Sequence, residues 1–281
     1  MKNMRPIKRL LAVCLISLLA LCGGTQLNNQ FKVSPTPTLF VHGYRGTAQS
    51  LGNMIDHLEA QGAGRQVMTI TVSRDGQVTT HGRLNDQRNP LINVIFENNI
   101  AGEAKYTQWL RQVMRTLHRD YGVTSVNLVG HSMGAYAAIA CGMTKSPVTI
   151  DHLVAIAGPY NGIMHWDDRP HEVTLNALGK PSQIRPEYQR LLNHRRTFQA
   201  GSVLNIYGDV NDGSASDTVV TVASARSLRY VLREYHGPYA EKAVVGSHAQ
   251  HSLLHINNPV VNHAVAAFLW GQTPTQRDQL R

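Results

Sequence analysis

The sequence predicts an alternating α/β fold: a mostly parallel sheet with helices packed on both faces. Three observations lead there. Strand-like and helix-like segments alternate along most of the chain. The strand-like segments are almost continuously apolar, as strands covered on both faces must be. Between one of them, Val126-Asn127-Leu128-Val129, and the helix that follows stands Gly130-His131-Ser132-Met133-Gly134.

Taken in order, the chain opens with Lys2, Arg5, Lys8 and Arg9, then an apolar run at 10–21 and the small residues Gly23 and Gly24. That is the pattern of a secretory signal peptide in residues 1–24, too short for a comfortable membrane span, or of an uncleaved signal anchor. Leu19-Ala20-Leu21-Cys22 is close to a bacterial lipid-attachment sequence, with Leu21 large for its position. Residues 38–41 read as a short buried strand and 66–73 as a second, after which Asp75-Gly76 turns the chain back into 77–81. Trp109, Leu110, Val113, Met114 and Leu117 repeat at helical spacing within 105–121, and Gly122 ends that helix. A strand at 126–129, a helix at 133–143 and a strand at 152–157 follow. Residues 161–199 interrupt the alternation. They are polar, contain Pro170, Pro181 and Pro186, show no strong amphipathic stripe, and are expected to form a lid over a cleft. Beyond them come a strand at 202–207, a helix at 219–231 and a strand at 241–245. The last helix, 259–270, is capped by Asn257 or Asn258.

The 281 residues, less an exported N-terminal segment, suffice for one sizeable core without a second domain. Cys14 and Cys22 belong to that segment, which leaves Cys141 alone. Cys141 is expected to pack in the core, and no intrachain disulfide is expected in the mature domain. The formal charge of +9 includes the four N-terminal cations. The remainder suits a protein near an anionic cell wall and not one that binds nucleic acid, because no basic helix is interleaved with aromatics. The densest basic stretch, 185–196, is expected to solvate the insertion. No H-x-x-x-H or H-E-x-x-H pair falls on a predicted helix, so neither a metal nor another cofactor is expected.

The chemistry starts from Ser132. G-x-S-x-G between a strand and a helix describes a nucleophile elbow, a sharp turn that holds the serine hydroxyl out of the sheet. A tetrahedral intermediate would need N–H donors for its oxyanion. One is Met133, directly after the serine; the other is Tyr44, in Val41-His42-Gly43-Tyr44 after the first strand. His42 itself reads as a structural hydrogen-bonding residue. The base is sought after the last strand, where His248, His251 and His255 crowd together, and His251 is preferred. The acid that orients it is sought after the strand at 202–207, among Asp209, Asp212 and Asp217. Asp212-Gly213 reads as a turn. Asp217, just before an apolar stretch, is preferred, with Asp209 next. The chain order Ser132, Asp217, His251 is that of α/β-hydrolases.

Those residues sit in longer matching stretches: Pro37-Thr38-Leu39-Phe40-Val41-His42-Gly43-Tyr44, the elbow, Ile156-Ala157-Gly158-Pro159-Tyr160-Asn161-Gly162, Ser216-Asp217, and Ala249-Gln250-His251-Ser252-Leu253-Leu254-His255. Together they resemble the exported α/β-hydrolases of unknown function from Gram-positive bacteria, lactobacilli and listeria in particular, often labelled cell-surface hydrolases. The resemblance implies an α/β-hydrolase domain over 36–271 and the same triad of Ser132, Asp217 and His251. That family usually reads Ser-Asp-Gly at the acid, where this chain has Thr218 after Asp217. The expected activity is hydrolysis of a small carboxylic ester of short to medium acyl chain, outside the cell or at its surface. An N-terminal attachment to membrane or cell wall is compatible with it. Amide hydrolysis or acyl transfer through the same residues, and a non-catalytic surface module on the same scaffold, are the alternatives.

Overall fold

The computed structural model describes residues 31–84 and 88–271, so the N-terminal segment 1–24 lies outside the described residues. The strands are β1 (Thr38–Val41), β2 (Arg65–Val72), β3 (Val78–Gly82), β4 (Pro90–Phe96), β5 (Ser125–His131), β6 (Thr149–Ile156), β7 (Ser202–Asp209) and β8 (Tyr239–Val245). They form one sheet in the order β3-β2-β4-β1-β5-β6-β7-β8. Only the edge hairpin β2–β3 is antiparallel. The α-helices are α1 (Ala48–Ala60), α2 (Glu103–Tyr121), α3 (Met133–Gly142), α4 (Pro186–His194), α5 (Val222–Arg226), α6 (Leu228–Val231) and α7 (Pro259–Trp270).

Alternation along the central strands feeds two cores. In β1, Leu39 and Val41 join a cluster built with α2 and α3, which includes Tyr106, Trp109, Leu110 and Ile139. Phe40 points to the opposite face and packs with Leu51, Ile55, Val265 and Trp270 from α1 and α7. A strand covered on both faces can thus be apolar at every position, which is why β1 is buried throughout. Cys141 lies in the first core, and burial pushes its thiol pKa up to about 12.

Two elements were not anticipated. Helix α1 buries Leu51, Met54, Ile55 and Leu58, a stripe at helical spacing. Strand β4, Pro90-Leu91-Ile92-Asn93-Val94-Ile95-Phe96, is central, between β2 and β1. Its Asn93 hides among apolar neighbours because its side-chain amide donates to the Ala48 carbonyl at 2.9 Å. The helix expected at 219–231 is also different. The N–H groups of Val219 and Val220 both donate to Asp217 Oδ1, at 2.9 and 2.6 Å. Helix therefore starts only after Thr221, whose hydroxyl caps α5 by accepting from Ser224 N–H.

The segment 161–199 does separate β6 from β7, but it is not uniformly solvated. Helix α4 buries Tyr188, Leu191 and Leu192, an amphipathic stripe the sequence reading did not find. Nor do the arginines at 185–196 merely face water. Arg185 reaches the buried carboxylate of Asp168 at 3.4 Å, and Arg195 pairs with Glu234 at 3.0 Å.

Candidate active site

Strand β5 ends at His131 and α3 begins at Met133, so Ser132 makes the whole turn, at φ 56° and ψ −121°. A non-glycine residue held there costs about 1–3 kcal/mol, and persists only where its surroundings enforce it. Ser132 N–H donates to the Ile156 carbonyl at 2.8 Å, while its own carbonyl accepts from Ala135 and Tyr136 at 2.9 and 3.1 Å. The flanking glycines permit the close approach. A Cβ at position 130 would stand 2.4 Å from the Gly134 oxygen, and one at 134 only 2.2 Å from the Val41 oxygen. The first turn of α3 is thereby pressed against the end of β1. The serine side chain faces the β1 loop: a Cβ on Gly43 would be 3.3 Å from Ser132 Oγ.

That loop carries Tyr44 and is heavily braced. Phe96 N–H donates to His42 Nε2 at 3.0 Å, so the ring proton resides on Nδ1, which donates to the Gly43 carbonyl at 2.8 Å. Burial lowers the His42 pKa and keeps this ring neutral. Arg45 N–H donates to the Asn99 carbonyl at 2.7 Å, and Asn99 Nδ2 to the Gly46 carbonyl at 2.9 Å. Tyr106 Oη stands within 3.0 Å of the Gly43 oxygen and 3.1 Å of the Asn99 oxygen. Met133 is the first residue of α3, where N–H groups have no intrahelical acceptor and meet the positive end of the helix dipole. Among the described residues, neither Tyr44 nor Met133 donates its N–H to a backbone carbonyl.

Asp217 and His251, far apart in sequence, meet. His251 Nδ1 donates to Asp217 Oδ2 at 2.7 Å, and His251 N–H to the Asp217 carbonyl at 2.8 Å. The other carboxylate oxygen is filled by Val219 and Val220, so the acid has little freedom to turn away. Both residues are buried, Asp217 almost completely. Thr218, directly after the acid, has φ 81°, a backbone conformation that favours glycine.

The other candidates have different partners. Asp209 and Asp212 accept from the N–H groups of Asn211 and Ser214, each at 2.9 Å, in local turns. His248 is exposed. His255 Nδ1 donates to the Ser50 carbonyl at 2.6 Å, tying the histidine loop to α1. One residue that sequence reasoning passed over is His131, inside the elbow motif itself. Its Nε2 donates to the His251 carbonyl at 3.1 Å, and its ring lies 4.6 Å from that of His251 and 4.1 Å from that of His255. Burial drives the His131 pKa well below 6.5, helped by the two neighbouring imidazoles, and burial also lowers His255. These rings are neutral spacers that fix the loop carrying His251 against the elbow.

A second passed-over group comes from the insertion. Met164 N–H donates to the Val219 carbonyl at 2.8 Å, and Thr221 Oγ1 to Asp168 Oδ2 at 2.8 Å. The insertion thus grips the acid loop on both sides of Val220. Between these anchors Trp166 packs edge-on against the Tyr44 ring, with centroids 5.5 Å apart.

An eight-stranded sheet of this order, with a serine elbow after β5 and an acid and histidine following β7 and β8, defines an α/β-hydrolase. The chain belongs to the family described as alpha/beta hydrolase of unknown function (DUF915), whose pattern matches residues 25–272. It is similar to a gene product of Listeria innocua, 27% identical with a TM-score of 0.75, over 86% of this chain and 96% of that one. It is also similar in fold to a candidate cell-surface hydrolase of Lactobacillus plantarum, at 20% identity and TM-score 0.68, over 87% and 95% of the two chains. No curated protein matches the chain.

Proposed function

We propose that the protein is a serine hydrolase of carboxylic esters with short to medium acyl chains. The observation that carries this is the 2.7 Å bond from His251 Nδ1 to Asp217 Oδ2, on a loop tied by His131 to the elbow serine. With the proton held on Nδ1, Nε2 offers its lone pair. Ser132 Oγ attacks the acyl carbon as its proton passes to His251 Nε2. Asp217 stabilises the imidazolium, and the N–H groups of Tyr44 and Met133 receive the oxyanion. The imidazolium then protonates the departing alcohol, leaving an acyl-enzyme. Water, deprotonated by the same histidine, releases the acid.

The insertion leaves Trp166, Leu178 and Ile184 as its exposed large hydrophobics. That falls short of the broad apolar face a lipid-interface lid presents, and favours soluble esters. In this reading, residues 161–199 roof the cleft. The N-terminal segment 1–24 directs export, and the domain works outside the membrane or attached to it. Among the described residues, no helix is long and apolar enough to cross a membrane.

The test is labelling of protein lacking residues 1–24 by a fluorophosphonate probe, with Ser132→Ala and His251→Ala alongside. Labelling that vanishes in Ser132→Ala and falls sharply in His251→Ala supports an activated serine. A folded wild type that does not label overturns it and favours the non-catalytic surface module. Rates on ester, amide and acyl-transfer substrates then separate the activities this triad could share.

A further inference from the structure

Trp166 is in an unusual position for a tryptophan. Of the three in the chain, Trp109 and Trp270 are 3% and 2% exposed, whereas Trp166 is 65% exposed. It is nonetheless held in place. The Ile163 carbonyl accepts from the N–H groups of Trp166, Asp167 and Asp168, each at 3.1 Å, closing a tight loop. Asp167 Oδ1 accepts from Ile163 N–H at 2.8 Å, and His165 N–H donates to the Asp168 carbonyl at 3.2 Å. Asp168, fully buried at its side chain, is fixed by Thr221 and Arg185. This loop is therefore rigid on its own account and bolted to the segment that carries Asp217.

The indole projects from that anchored loop to the ring of Tyr44, whose backbone carries the proposed oxyanion donor. Arg45 approaches the same Tyr44 ring at 5.4 Å, so the tyrosine is held by a cation and an indole together. Trp166 consequently links the segment that carries Asp217 to the loop that carries Tyr44, which in turn packs against Ser132 through Gly43. Leu253, two residues after His251, is also exposed at that end of the sheet. A large aromatic surface left in water but fixed in orientation has the properties of a binding wall: much contact area, and little conformational entropy left to lose.

We infer that Trp166, with the Tyr44 ring, forms an aromatic wall that selects esters carrying an aryl group beside the scissile carbonyl. This rests on the ester-hydrolase reading above and deepens it. The aryl group stacks on the indole while the carbonyl oxygen reaches the Tyr44 N–H. The ring of the substrate belongs either to its acid or to its alcohol, and a pair of substrates separates these: methyl phenylacetate and benzyl acetate, with ethyl butyrate as the alkyl reference.

The experiment has a binding arm and a rate arm. In the first, methyl phenylacetate and benzyl acetate are titrated separately into the Ser132→Ala protein, which cannot turn them over, and tryptophan emission is followed. A saturable change is expected with at least one, and its loss in Ser132→Ala/Trp166→Phe assigns the signal to the exposed indole. In the second, Trp166→Ala should lower kcat/KM for the better aryl ester about tenfold, mainly through KM, with ethyl butyrate changed less than twofold. Trp166→Phe should retain most of the aryl preference, which guards against misfolding of the alanine variant. Equal losses on aryl and alkyl esters, or no saturable emission change with either aryl ester, would overturn the wall. Fluorophosphonate labelling of the Trp166 variants, reported separately, tells that failure apart from an inert Ser132.

Discussion

Thr218 offers a direct test of how the acid loop is held. It stands at φ 81° immediately after Asp217, a β-branched residue where left-handed backbone is required. That conformation costs an L-residue about 1–2 kcal/mol, and branching at Cβ puts threonine at the upper end. Glycine would escape the cost but gives up about 0.5–1 kcal/mol through the greater freedom of its unfolded chain. The Thr218 hydroxyl accepts from Gln250 Nε2 at 3.4 Å, too long a bond to offset much. Thr218→Gly should therefore stabilise the protein by about 1 kcal/mol, raising Tm by roughly 2–4 °C for a domain of this size. Thr218→Ala keeps a Cβ and should gain less than half as much. Thermal unfolding by circular dichroism, with urea titration to check that m is unchanged, measures both. A Tm below that of wild type in Thr218→Gly, or an equal gain in the alanine variant, would show that strain at φ 81° is not what limits this loop.

Further outcomes follow from the same geometry. Asp217→Asn preserves shape but presents an N–H or a neutral oxygen to His251 Nδ1, so fluorophosphonate labelling should slow about a thousandfold or more with Tm little changed; unchanged labelling would remove Asp217 from the mechanism. Gly134→Ala drives a methyl to 2.2 Å from the Val41 oxygen and should cost more than about 3 kcal/mol or prevent folding, whereas a soluble, labelled variant would contradict the close approach. His131, His42 and His255 have pKa values lowered by burial, so the unfolded chain binds their protons more readily than the folded one. Stability is then full well above pH 6.5 and falls as the pH drops below it, because the unfolded chain takes up protons these buried rings refuse. A Tm flat from pH 7.5 to 5 would refute that sign. In protein lacking residues 1–24, native Cys141 should resist iodoacetamide at pH 8 and react only after unfolding, as its burial and raised pKa require.

Much of the fold was legible because its causes are local. The stripe Trp109, Leu110, Val113, Met114, Leu117 marks α2 at helical spacing, and each of those side chains is buried. Asn258 caps α7 by accepting from Val261 N–H, a bond across three residues. Helix α1, with Leu51, Met54, Ile55 and Leu58 at helical spacing, and strand β4, an apolar run broken only by Asn93, were equally legible in their spacing but were not among the expected elements. The split of 219–231 was not legible in this way. Val219 and Val220 are apolar enough to continue a helix, but their N–H groups are already committed to Asp217.

The sequence by itself determined the class of the fold, the elbow and the strand that delivers Ser132, since glycine spacing and apolar runs act between near neighbours. It also narrowed the acid to Asp209, Asp212 and Asp217, and the histidine to His248, His251 and His255. It favoured Asp217 and His251 among them, but the contact between the two exists only in the tertiary structure. The parallel pairing of β7 with β8 brings the ends of both strands side by side, and only there do the Asp217 and His251 loops touch. Trp166 over Tyr44, His131 beneath His251 and Ser50 against His255 join segments separated by up to 205 residues. No local periodicity records such contacts, because the energy that selects them comes from closing the sheet and burying the groups together.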